Sequence, residues 1–158
     1  MESAVSASPS IAPAAAPARF EKIHDADGVH ILTRDNATGL EWQATPFPES
    51  MTLDEAIAAC AALTLGGHSD FRVPSIDELE SIRDRSLCKP AIDPDAFPRC
   101  PPEWFWSATP HAYAPSEFAW IVYFGGGNSS NGHRDDNGRV RAVRGASRQL
   151  SAFSPAEG

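Results

Sequence analysis

The residues best suited to chemistry lie between Gly125 and Gly138, where the run GGGNSSNGHRDDNG contains no apolar side chain and so must face water. Asn128, Ser129, Ser130, Asn131, His133, Arg134, Asp135 and Asn137 offer amide, hydroxyl, imidazole and charged groups on a glycine-flanked stretch. That is the chemistry of adjustable hydrogen bonding, which binding loops use to fit a ligand. The plainer alternative is a solvated hairpin loop. Trp104, Tyr113 and Glu117 lie near loops and extend the candidate ligand surface. Trp104 brings a ring face that can stack on the apolar side of a sugar. Trp42, Trp106 and Trp120 fall inside β-forming runs and read as strand packing, while Arg72 and Glu78 sit at the entry to a helix, where a charge-assisted pair would fix the geometry.

Nothing in the chain reads as catalytic. GxSxG, P-loop and HExxH patterns are missing, and His24, His30, His68, His111 and His133 have no metal-site spacing. Cys60, Cys88 and Cys100 form no CxxC pair; Cys88 and Cys100 flank a proline-rich loop and are either bridged or, like Cys60, free. No cofactor and no metal are expected. The net charge of -8 and the scattered Arg139, Arg141, Arg144 and Arg148 argue against nucleic acid as a partner. No apolar run approaches the ~18 residues that cross a bilayer. The first residues lack the basic start and apolar stretch of a secretory signal, so synthesis in the cytoplasm is expected.

Several elements must position these groups. Residues 1–19 are Ala, Pro and Ser with few large apolar groups and read as a flexible arm; residues 149–158 read as a short tail. Between them, 20–148 is expected to be one domain. Apolar β-formers at 20–23, 29–33 and 40–43, separated by Asp/Gly turns, predict short strands. Thr52 with Glu55, and Ser75 with Glu78, have capping-box spacing and predict two helices. The first presents Leu53, Ala56, Ile57, Cys60 and Ala61 as a buried stripe and ends at Gly66-Gly67. Five prolines from 90 to 102 predict an irregular segment. Residues 104–109 and 118–124 predict central strands, and 139–145 alternates as a strand with one solvated face.

The order of these pieces resembles the C-terminal domain family of bacterial collagen-like adhesins, the Lcl C-terminal domain. The carriers run from Thr38-Gly39-Leu40-Glu41-Trp42 through Gly66-Gly67-His68-Ser69-Asp70-Phe71-Arg72-Val73-Pro74, Trp106-Ser107-Ala108-Thr109 and Ala119-Trp120 to Val140-Arg141-Ala142-Val143-Arg144-Gly145. The resemblance implies an α+β, C-type-lectin-like fold: two helices on a twisted, mostly antiparallel sheet whose first and last strands lie side by side. It also implies ligands at the late loops. In that family a first-helix cysteine commonly pairs with one in the last strand; Ala142 stands there, leaving Cys60 unpaired and favouring a reducing compartment. The tripeptides of calcium-dependent lectins are missing, although Asp135, Asp136 and Asn137 carry oxygen ligands.

The expectation is a non-enzymatic recognition or adhesion module, displayed on a phage particle or cell surface. It would bind a glycan or protein receptor through residues 110–117 and 128–137. The Asn, Ser, Asp, Gly and His content of the polar segment also fits a target of a diversity-generating retroelement. The alternative is a structural virion subunit, of tail or capsid decoration, whose N-terminal arm contacts neighbouring subunits. A homo-oligomer is compatible with either.

Overall fold

The computed structural model describes residues 18–146. The first three strands are β1 (Phe20–His24), β2 (His30–Asp35) and β3 (Leu40–Gln43). Asp25 makes the first turn by accepting the Asp27 and Val29 amides, both at 2.9 Å, and Gly28 supplies its positive φ of 81°. Asp35 makes the second: its carboxylate takes the Ala37 amide and the Arg19 guanidinium. Both helices begin at the expected caps. Thr52 starts α1 (Leu53–Ala62) and Ser75 starts α2 (Ile76–Ser81), each with a complete capping box.

The remaining strands are β4 (Trp104–Pro110), β5 (Phe118–Tyr123), β6 (Asn128–His133) and the two-residue β7 (Val143–Arg144). They give two antiparallel sheets, ordered β1-β2-β3-β7 and β4-β5-β6. The fold is therefore α+β, as expected. No helix among the described residues is long and apolar enough to cross a membrane.

Strand alternation lets the second sheet separate two cores. Phe105 and Val122, cross-strand partners, point toward Leu79, Ile82 and Phe97 on the α2 side. Their chain neighbours Trp106 and Ile121 point toward Leu53, Cys60 and Val140 on the α1 side. Phe105 and Trp106 are thus consecutive and both fully buried. At about 1.5–3 kcal/mol for each large apolar side chain, this two-sided burial makes β4 the spine of the molecule.

Four details differ from the sequence reading. The polar segment expected to be a loop is half strand: residues 128–133 form β6, paired without a bulge to β5, because the turn through Gly127 (φ 79°) closes a hairpin. The α1 stripe is narrower, since Ile57 is 45% exposed and Ala61 faces solvent, and the helix stops at Ala62 before its glycines. The last segment has no solvated face at Arg141, which is 1% exposed between the two sheets. There its guanidinium donates to the Gln43 and Ala44 carbonyls and stacks on Phe97 and Phe105. The first and last strands are not neighbours: β7 pairs with β3, and β1 occupies the opposite edge. The two ends of the described segment still meet at one turn, because Asn36 bonds to the Ala18 and Arg19 carbonyls while Gly145 packs on Gly39 and Leu40.

Candidate functional site

The β5–β6 hairpin sorts the candidate ligand residues by strand parity. On β5, Phe118 and Trp120 alternate with the buried Ala119 and Ile121. Opposite them on β6 stand His133 and Asn131, with Ser129 opposite Val122. Asn128 and Ser130 sit opposite Tyr123 and Ile121, and so point to the other face. The eight polar candidates do not form one loop surface. The structure brings together Asn131 and His133 with the two aromatic rings, and separates them from Asn128 and Ser130.

The aromatic rings on that face are only half-buried. His111 lies over Trp120, with centroids 4.8 Å apart and planes tilted by 40°, and Phe118 meets His133 edge-on at 5.2 Å. The 111–117 loop holds His111 in place: its amide donates to the Phe118 carbonyl at 2.9 Å, and the Tyr113 amide donates to its Nδ1 at 3.3 Å. Tyr113 itself is 90% exposed at the loop tip, and Glu117 is exposed at its end. Ser107 fixes the height of Trp120. Where the β4–β5 register breaks, its buried hydroxyl donates to the Trp120 carbonyl at 2.6 Å.

Two tryptophans stand where the opposite was expected. Trp104 packs edge-on against Trp106 at 5.0 Å and lies directly beneath Gly132 and Gly138. A Cβ on Gly138 would approach its ring to 2.4 Å, so Trp104 offers no open face on that side. Trp120, expected as strand packing, is only partly buried and belongs to neither core cluster, its ring lying against His111 instead. Trp42 and Trp106 are fully buried, and the Trp106 indole donates to the Met51 carbonyl at 2.9 Å. His111 lies within the expected 110–117 segment without having been singled out, and Phe118 falls outside the expected segments. The alternation of Phe118 and Trp120 about Ala119 was the available signal.

The remaining candidates hold the frame. Arg72 clasps Glu78 with two bonds of 2.7 and 2.8 Å and donates to the Gly145 carbonyl. Arg134 turns toward Asp54 at the start of α1, 3.6 Å away, and its amide continues the β5 ladder through the Glu117 carbonyl. Asp135 and Asn137 lie exposed in the turn that follows. Among the described residues no group of three or more His, Cys, Asp or Glu is placed to hold a metal ion. All three cysteines are free, with Cys88 exposed and the other two buried.

Two clefts lie elsewhere. Cavities of about 520 and 430 Å³ share Arg19, Phe20, Asp84 and Asp93. Most of their charges are already answered within the protein: Arg19 by Asp35, Lys22 by Asp95 and Arg83 by Glu80. No set of unanswered polar groups converges there in the way a small-molecule site requires.

Comparison with protein-family models matches residues 32–144 to the Lcl C-terminal domain. The chain belongs to that family. A search of curated protein sequences finds no match. The Lcl C-terminal domain is an adhesin-type module, so membership directs attention to an exposed binding face. The match begins inside β2, so β1 lies ahead of the matched residues. Within this Lcl C-terminal domain, Cys60 and Ala142 lie in the same buried cluster. Alanine at that place leaves Cys60 no thiol partner there.

Proposed function

We propose that this Lcl C-terminal domain is a non-enzymatic recognition module that binds a glycan or protein receptor on the β5–β6 face, displayed on a phage particle or cell surface. The supporting observation is the half-exposed Trp120, roofed on one side by His111 and flanked by Phe118, Asn131 and His133. A partly exposed indole among hydrogen-bonding groups suits a ligand with an apolar face and polar edges, and aromatic anchors of this kind dominate binding energy. Tyr113 and Glu117 border the face on the adjoining loop, while Ser129 extends it along β6. Asn128, Ser130, Arg134, Asp135 and Asn137 lie on or beyond the other side of the hairpin and contribute at its rim.

The test is binding of the purified chain to a glycan array and to whole cells, beside two variants. Trp120→Ala should lose binding by at least about tenfold, the effect of removing a central aromatic anchor. A variant with Asn128, Ser129, His133, Arg134 and Asp135 all changed to alanine should lose it as well, through His133 and Ser129. Binding that survives Trp120→Ala places the ligand elsewhere. No binding to any glycan or cell would instead favour a structural virion subunit.

A further inference from the structure

β6 is an open edge. Within β4-β5-β6 it has a neighbour on one side only, and among the described residues no other strand pairs with its outer side. Which peptide groups face outward follows from the ladder. The Arg134 amide donates to the Glu117 carbonyl, so this pair is hydrogen-bonded. Antiparallel ladders alternate, so Gly132, Ser130 and Asn128 also bond inward to β5, and Ser129, Asn131 and His133 present their N–H and C=O groups outward. Of these, only the His133 carbonyl is occupied, by the Asp136 amide.

Exposed edges normally carry a device against pairing: a lysine, a proline, a bulge or extreme shortness. β6 has six residues, Asn-Ser-Ser-Asn-Gly-His, none of them lysine or proline, and its register to β5 is unbroken. Its two ends carry opposite charge. Lys89, whose amide bonds to the Gly125 carbonyl, stands at the hairpin end beside Arg83, which donates to the Gly127 carbonyl and shares its charge with Glu80. Glu117, Asp135 and Asp136 stand at the other end, all exposed. A parallel partner of the same kind would set like charges together; an antiparallel one sets each acidic end against a basic end.

We infer that β6 is a dimerisation edge, pairing antiparallel with β6 of a second copy of this chain. In the register centred on Asn131, Asn131 meets its own copy and Ser129 meets His133 of the other subunit, so all three outward-facing residues are used. The acidic turn of each copy comes to the Arg83 and Lys89 end of its partner. The axis of such a pair is perpendicular to the sheet, so the two form one six-stranded sheet with both Trp120 faces on the same side. Asn131 of both copies then lies between the two indoles, and the partner adds a residue to each face. The pairing itself does not depend on the receptor reading.

The experiment is light scattering and sedimentation of the full chain over a concentration series. The mass should reach twice the 16.9 kDa of one chain. Asn131→Lys, which sets two cations side by side at the axis on an exposed position, should return the mass to one chain with unchanged circular dichroism. An independent check changes Asp135 and Asp136 to lysine: dimerisation should weaken at least about fivefold and recover when Lys89 and Arg83 are changed to glutamate. A wild-type mass of one chain up to about 1 mM, the weak end of specific association, would overturn the proposal. So would a dimer that neither Asn131→Lys nor the charge reversal affects.

Discussion

Burial by itself would raise the Glu78 carboxyl, but the two Arg72 bonds and the Ser75 amide outweigh it and hold Glu78 below the ordinary carboxylate range. Because the folded-state value is the lower one, this stabilisation is complete above the unfolded range, near about 4.3, and is lost as pH falls through the lowered value. Glu78→Gln should therefore flatten the acid limb of stability below about pH 4.3. At neutral pH, urea unfolding should show it destabilised by about 2 kcal/mol, less than a fully buried pair would give because Arg72 is partly exposed. The cysteines divide by the same logic of burial. Cys60 is pushed up to about 12 and Cys100 is also raised, both by desolvation, whereas Cys88 is exposed. A thiol reagent at neutral pH should label one cysteine per native chain rapidly and the other two only on unfolding. The Arg72–Glu78 contact was legible because Glu78 belongs to the Ser75 capping box, a local motif, and Arg72 lies six residues away at the entry to the same helix. Arg141 was not: its alternation with Val140 and Ala142 matches a half-exposed strand, and only the meeting of two sheets, distant in sequence, buries it.

Among the elements, the helix starts were the most legible, since Thr52 and Ser75 each satisfy backbone amides within three residues of themselves. β6 was the least. Asn, Ser and Gly have low strand propensity, and the segment becomes a strand only because β5 supplies a ladder to pair with. Glycine matters there for a second reason. Gly138 has an ordinary φ, but Trp104 carbons lie 2.4 to 2.9 Å from where its Cβ would be. Gly138→Ala should destabilise the chain by about 1–3 kcal/mol, as overpacking does, and change the near-ultraviolet dichroism of the tryptophans. Gly132→Ala meets the same ring at 3.2 Å and should cost less. A denaturant series on the two variants, ranked against wild type, checks this. Equal stability of all three would mean that Trp104 is free to move, and it would return to the list of ligand residues.

At the scale of the whole molecule, the β5–β6 hairpin gathers the partly buried rings of Phe118 and Trp120 with His111, Asn131 and His133 on one of its faces. The α+β class and the order of elements were readable from caps, turns and β-rich runs. The composition of the face was not, because parity along β5 and β6 decides it and parity is fixed only by the register of the hairpin. For that reason Trp104 packs against the α1-side cluster while Trp120 lies against His111. The clefts by Arg19 hold charges that are mostly answered within the protein. The most direct test sets these regions against each other in one assay of binding to target cells, with Trp120→Ala for the β5–β6 face and Arg85→Ala for the cleft. Trp120→Ala, assayed where circular dichroism shows it folded, should lose at least about tenfold in affinity, with Arg85→Ala unchanged. Full binding by Trp120→Ala together with loss in Arg85→Ala would contradict binding on the β5–β6 face.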